Sequence, residues 1–495
     1  MKLEHFFKET VIYAMGVLGS RATIFLLIPL YTHSLSTSDY GALSILLLIT
    51  QTMAVFVDLG NRKSFVRFAT EYADKNLLGS LLGTTTLLIL VTGLIVITCS
   101  NLFLPSLFQR VLYINDAAQY VPLTCYAALA QALNTHVMSY YRVTQDGSKY
   151  ALLSAGICGL ACVTNYVLLL IFHQGLKGAL MAQILTYGGS WFIIICSVYS
   201  RVKFNFSPTL VPKLLRFGTP LVVITASALI TDTVAMSLLG HSATLDQVAI
   251  FSLGYKVSQI VSIVLILPFQ LAYEPFIYAH MNTSGIQWIV ARLLTYLVLA
   301  FAFAALGLAL ISRGLLNVIA PPAYFSALGV IPLMLPGLLF SGIYNIGESL
   351  LHTKNKTHIT STIVLISVLL SCSLNFFLIP YCGIYGAIFT HNLINIILAT
   401  VVLYFGIKLF PIPLEFKRLA TVGGLLVFFL VIAFVLKDET FIIYYGTITF
   451  ATVLGITCVY FSRVWDADDK AMLSKVWNQS LRVLSLLYRD RTEPV

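Results

Sequence analysis

Fourteen stretches of about twenty apolar residues, few of them broken by a charge, leave this chain almost no choice of solvent. A backbone inside lipid has no water to bond, so only helices or closed barrels can cross it. Barrel strands alternate apolar and polar side chains over about ten positions. The runs here are continuous and long enough for a helix to cross a hydrocarbon core of about 30 Å. Composition agrees: 58% of the 495 residues are hydrophobic and 10% charged, where a soluble chain carries about 25% charged. That is too little charge to coat a water-facing surface. The expected fold class is all-α, integral membrane, with about 14 transmembrane helices.

Hydropathy windows place spans near 10–32, 40–60, 77–99, 118–140, 150–172, 176–198, 217–240, 248–273, 288–311, 329–351, 359–380, 383–407, 418–436 and 441–462. An even count puts both termini on one side, and Lys and Arg choose it. Of 30 such residues, 24 fall in the terminal segments and the loops on the side of the termini. The opposite loops hold Arg110, Lys177, Arg313 and Lys437, while Arg21 and Lys256 lie inside spans. Cytoplasmic loops concentrate Lys and Arg, so the N- and C-termini are expected in the cytoplasm. The net charge of +10 reflects this bias and implies no nucleic acid. The tail from Asp468 to Arg491 reads as an interfacial amphipathic helix, with Lys475, Arg482 and Arg489 placed to reach headgroups of the membrane lipid.

The chain repeats at an offset of 208. His33–Ser44 (HSLSTSDYGALS) aligns with His241–Ser252 (HSATLDQVAIFS), and Gly175–Leu185 (GLKGALMAQIL) with Gly383–Leu393 (GIYGAIFTHNL). Six spans per repeat send both halves into the membrane in the same direction, as two six-helix lobes related by a parallel repeat with a cleft between them. The expected organisation is an N-terminal lobe over 1–208 and a C-terminal lobe over 209–407. Residues 408–495 add two extra helices and the tail. Folds of this kind place substrate near mid-membrane at the repeat interface and work by alternating access.

Several short motifs carry a resemblance. They are Pro29-Leu30-Tyr31-Thr32 with Ser38-Asp39-Tyr40-Gly41, Asp58-Leu59-Gly60 with Arg67, and Phe217-Gly218-Thr219-Pro220-Leu221. A further pair is Leu374-Asn375 through Ile379-Pro380 and Gly383-Ile384-Tyr385-Gly386-Ala387. Over nearly its whole length the chain resembles the polysaccharide-exporter branch of the multidrug/oligosaccharidyl-lipid/polysaccharide exporter superfamily, the flippases for lipid-linked oligosaccharide repeat units. The resemblance implies a lipid-linked oligosaccharide as substrate and the bacterial inner membrane as location. Polysaccharide polymerase and chain-length machinery are the implied partners.

A charge near the bilayer centre costs about 3 kcal/mol on insertion scales, so the charges kept there carry the functional argument. Arg21 in span 1 and Lys256 in span 8 sit near mid-depth in opposite repeats, and Arg292 begins span 9. Two cations converging on the cleft suit an anionic group, and a pyrophosphate joining lipid to sugar is the natural one. The plainer alternative is a lysine paired with a buried acid, Asp232 being the available partner. Asp232, Asp58, Glu348 and His391 are the candidates for a coupling ion, with Glu274 and His136 behind them. Asp58, Glu274 and Glu348 lie near span ends, where pairing with Arg62, Arg67 or loop lysines competes with that role.

The alternatives are a drug exporter of the same superfamily and a membrane polymerase or glycosyltransferase. No H-E-x-x-H, G-x-S-x-G or G-x-x-x-x-G-K-[ST] motif occurs, so hydrolase and ATP-driven readings lack support. No catalytic residue, metal site or cofactor is expected. Cys158 and Cys162 share a helix face, but without a nearby His or acid they make a poor metal site.

Overall fold

The computed structural model describes residues 23–69, 75–112, 117–144, 146–199, 204–281, 285–354 and 356–435, with a few isolated positions besides. Every regular element among them is helical. The helices are α1 Thr23–Ser34, α2 Thr37–Asp58, α3 Asn61–Ala69, α4 Lys75–Leu112 and α5 Ala117–Val143. Next come α6 Gly147–Tyr166, α7 Gly175–Tyr199, α8 Val211–Ser242, α9 Leu245–Val261 and α10 Leu267–His280. The series ends with α11 Ile286–Ile319, α12 Ala327–Thr353, α13 Thr357–Cys382, α14 Ile384–Leu409 and α15 Phe416–Val435. Among the described residues, 11 helical segments are long and apolar enough to cross a membrane. The protein is a multi-pass membrane protein.

The helix at the fourth expected span, α5, is not one of those 11. It carries Thr124, Asn134, His136 and Ser139, all buried. Its polar groups bond inward, as where Asn134 donates to Ser190 on α7 at 2.7 Å. The segment after α2, expected as a charged loop, holds the nine-residue helix α3. Arg21, the fourteenth span and the C-terminal tail lie outside the described residues, Tyr444 and a few neighbours of that span excepted.

The repeat is legible in the helix starts. Ser36 accepts from the Asp39 amide at the head of α2, and Thr244, its equivalent 208 residues on, accepts from the Gln247 amide at the head of α9. Each cap satisfies an amide that the first turn leaves open. Gly175 and Gly383 start α7 and α14 at φ +53° and +55°, a left-handed backbone that favours glycine. Three residues later, Gly178 and Gly386 admit the Leu168 and Leu378 carbonyls of the preceding segments. The hairpins differ in one respect: in the first repeat α6 runs on into a wider π turn over Val167–Ile171.

In the second repeat a similar π turn, Ser262–Ile266, joins α9 to α10. Helix α12 contains Pro332 and Pro336, each of which removes a backbone donor from the helix interior. Asn392 of α14 repairs the gap: it accepts from the Gly337 amide at 2.8 Å and donates to the Leu333 carbonyl at 2.7 Å.

The chain forms two compact units, Met1–Ser284 with Ile311–Pro411, and Gly285–Leu310 with Ile412–Val495. In the second, Leu306, Ala309, Phe429, Ala433 and Tyr444 share a core. There Glu415 accepts from Thr295 and pairs with Arg418 at 3.1 Å. The features that follow belong to the first unit, except Arg292.

Candidate functional site

The seam between the repeats in the first unit runs along α2 and α9. Ser252 donates to Ser44 at 2.8 Å. These two serines are equivalents in the 208-residue repeat, and equivalent atoms can touch only where they straddle the axis relating the repeats. Around that point the packing is close. A Cβ on Gly41 would overlap the Leu245 carbonyl, and Thr37 donates to Asp246. One helical turn beyond Ser252, the Lys256 Nζ donates to the Tyr40 hydroxyl at 3.1 Å and lies 4.9 Å from the centre of the Tyr40 ring. Tyr40 is fully buried and meets the ring of Tyr324 edge-on at 5.7 Å. Lys256 thus reaches across to the first repeat. Its partner is a phenol and a π face, not Asp232 or any other carboxylate among the described residues. No ion pair among the described residues neutralises the ammonium.

The adjoining face of α9 looks into a cavity. Tyr255, Gln259 and Ser262, spaced four and three residues apart, line one side of a space of about 370 Å³. Asp232 and Thr231 of α8, Ser341 of α12, Ser367 and Ser371 of α13, and His391 and Asn395 of α14 line the rest. A smaller recess of about 20 Å³ continues past Asp232 to Asn375, room for about one water-sized occupant. Asp232 has no hydrogen-bond or ion-pair partner among the described residues. Asn375 Oδ1, in that recess, is likewise buried without a partner. In the first repeat Asn165 is capped: Tyr31 donates to its Oδ1 at 2.8 Å. Buried polar groups are nearly always bonded, so an orphaned amide oxygen sharing a recess with an unpaired carboxylate marks a place for a donor or a cation.

The other residues singled out in the sequence fall elsewhere. Glu348 accepts from Tyr344 at 2.8 Å and lies 3.8 Å from His352, so its neighbours are on its own helix rather than loop lysines. Glu274 accepts from Gln270 at 2.8 Å. Asp58 accepts from the Arg62 amide at 3.1 Å and so caps α3. Lys63 on α3 donates to Thr225 at 2.7 Å, and burial, with Arg62 beside it, lowers its pKa. His136 meets Thr85 at 2.9 Å and packs on Phe65. Arg292 lies on α11 in the second unit. Composition and spacing did not single out Tyr40, Gln259, Gln270, Asn375 or Asn395. Neutral polar residues in apolar helices read as packing contacts, and only a charge stands out.

The family of proteins described as "Polysaccharide biosynthesis protein" matches residues 6–281, more than half of the chain. The chain belongs to that family. It is 22% identical over 266 residues to a protein of the Lsg locus of Haemophilus influenzae, a match covering 52% of this chain and 62% of that protein. The chain therefore spans less than two thirds of that relative. The fold is that of the MOP transporters. It superposes on the lipid II flippase MurJ in an inward closed conformation, with TM-score 0.69 and 15% identity over 96% of this chain and 98% of that one. It also superposes on an inward-facing multidrug resistance MATE family transporter of the MOP superfamily, with TM-score 0.64 and 14% identity over 84% of this chain and 96% of that one.

Proposed function

We propose that this protein is a flippase that moves an undecaprenyl-pyrophosphate-linked oligosaccharide from the cytoplasmic to the periplasmic leaflet of the bacterial inner membrane, for O-antigen, capsule or exopolysaccharide synthesis. The observation that carries the reading is Lys256, a lysine kept within an apolar helix at the repeat seam with no acid paired to it among the described residues. A pyrophosphate supplies the charge that the seam lacks. The sugars sit in the polar interior while the polyprenyl chain stays in lipid, and Arg21 on the first span adds a second donor. Polymerase and chain-length machinery take up the product.

Asp232 and the side-chain oxygen of Asn375 are the proposed place for the coupling proton or sodium ion. The potential also acts: an anion leaving an inside-negative compartment gains about 2.3 kcal/mol per charge per 100 mV.

A second reading, a drug exporter, is favoured by one feature: Asp232 opens into a cavity and would attract a cationic compound. Deleting the gene and restoring it with wild type, Lys256→Ala or Asp232→Asn separates the two. The flippase reading expects surface polysaccharide to vanish on deletion and to return only with wild type. Cationic dye efflux that depends on the protein while polysaccharide stays normal overturns it.

A further inference from the structure

We infer that the cavity behind α9 is a subsite for one neutral sugar ring. This rests on the flippase reading and adds a specificity to it.

Four observations converge on the cavity. The first is its chemistry. A pyranose presents hydroxyls that donate and accept together, and amides match both roles. Gln259 lines the cavity with no partner among the described residues. Asn395 donates one amide hydrogen to the His391 carbonyl at 2.8 Å and lies 3.5 Å from the His391 Nε2, which leaves its Oδ1 to accept. Gln270 is held by Asn345 at 3.3 Å and by Glu274 at 2.8 Å, so its amide is positioned before any ligand arrives.

The second observation is the wall. The π turn over Ser262–Ile266 lies where α9 borders the cavity, and such turns recur at functional sites. It leaves Ser262 Oγ buried without a partner. The third is size: about 370 Å³ falls at the small end of ligand pockets, which run from about 300 to 1,000 Å³. It admits a ring or two, not an extended oligosaccharide. The fourth is charge. Asp232 is the carboxylate among the cavity's lining residues, and no Lys or Arg lines it. In this low-dielectric setting a second carboxylate, on the ligand, is opposed by Asp232 whenever that residue carries no coupling ion, and no Lys or Arg of the lining offsets it. Neutral hexoses and N-acetylhexosamines are therefore accepted, and hexuronic acids rejected.

The geometry also suits a tethered head group. Lys256 faces the seam and Gln259 the cavity, less than one turn apart on α9. A pyrophosphate at the first and a ring at the second would lie on adjoining faces of one helix, since residues three apart are neighbours on its surface.

The test uses the full-length protein in lipid nanodiscs and three probes: methyl glucoside, methyl N-acetylglucosaminide and methyl glucuronide. Binding is read by saturation-transfer NMR and titration calorimetry. The expected result is saturable binding of at least one neutral glycoside, with the glucuronide about tenfold weaker or worse. Gln259→Leu and Asn395→Leu each weaken the neutral ligand by about tenfold, the loss of one well-placed hydrogen bond. Where a leucine variant does not fold, Gln259→Asn and Asn395→Ser take its place. Absence of saturable neutral binding, equal binding of the glucuronide, or binding untouched by both substitutions overturns the subsite. Cells separate this from the wider reading. If the glycosides do not bind while deletion abolishes surface polysaccharide, the subsite falls and the flippase stands. If they bind while polysaccharide is unaffected by deletion, the flippase falls and the sugar site stands.

Discussion

Lys256 sits among apolar neighbours where its ammonium costs about 3 kcal/mol to insert, and Tyr40 offsets only part of that. The phenol accepts one hydrogen bond and the ring face adds a cation–π contact, worth about 0.5–2 kcal/mol depending on desolvation. Neither neutralises the charge. Lys256→Met should therefore lower surface polysaccharide at least about tenfold at matched protein level, a change of about 1.4 kcal/mol. Lys256→Arg should retain a measurable fraction. Tyr40→Phe removes the acceptor but keeps the ring, so it should reduce output less than Lys256→Met does. Quantitative blotting of surface polysaccharide checks the order, and equal output from Lys256→Met would remove this lysine from transport. At this scale the sequence shows charge and hides partners. Lys256, Asp232 and His391 stood out because ionisable groups are expensive in lipid. Tyr40, 216 positions from Lys256, carries no signal of its own, and Gln259 is one amide among many.

Helices were legible where hydrophobic length alone decides them. α2, α7, α13 and α14 lie within a few residues of the expected spans, because about twenty apolar residues admit little else. The π turn at Ser262 and the short helix α3 were not legible, since both depend on tertiary packing rather than composition. Nor was the clamp on α12, although both of its prolines were in view. Asn392 there serves a carbonyl and an amide that the prolines disturb. Asn392→Leu leaves both without a partner in a dry interior, at a cost of about 2 kcal/mol. The expected outcome is a lower unfolding midpoint in detergent, followed by fluorescence-detected size exclusion, with Asn392→Gln intermediate. A midpoint equal to wild type would mean that α12 closes its own gap. The seam makes a second prediction at this scale. With Ser44 and Ser252 hydroxyls 2.8 Å apart, paired cysteines there bring two thiols side by side across the seam. In a cysteine-free background, Ser44→Cys with Ser252→Cys should cross-link under mild oxidation and stop polysaccharide export, and a reductant should restore it. Export that continues through the cross-link would show that α2 and α9 need not part.

Alternating access requires that the contact around the Ser44–Ser252 axis be one of two states, and Gly41 offers a way to move the balance. In this structure the heads of α2 and α9 are closed on each other: Gly41 lies under the Leu245 carbonyl, Thr37 bonds Asp246, and Tyr40 holds Lys256. A side chain at Gly41 cannot coexist with that backbone approach, whereas a state in which the helices have separated has room for it. The substitution therefore acts only on the closed state, and a change that acts on one state shifts the population by its full energy. A cost of about 2.7 kcal/mol moves the ratio about a hundredfold, enough to turn a tenfold preference for the closed state into a tenfold preference for the open one. Ser44→Cys, buried in this contact, reports the state. On the charge-derived topology the heads of α2 and α9 face the periplasm, so a membrane-impermeant maleimide added to intact cells reaches it only when the seam is open. Ser44→Cys should label slowly in the parent and at least about tenfold faster with Gly41→Val, with Gly41→Ala between them. Export should fall along the same series, because a transporter held open at one end cannot complete its cycle. Rapid labelling in the parent would mean that the closed seam is not the resting state in cells. Equal labelling throughout the series would mean that the two repeats do not part along this axis.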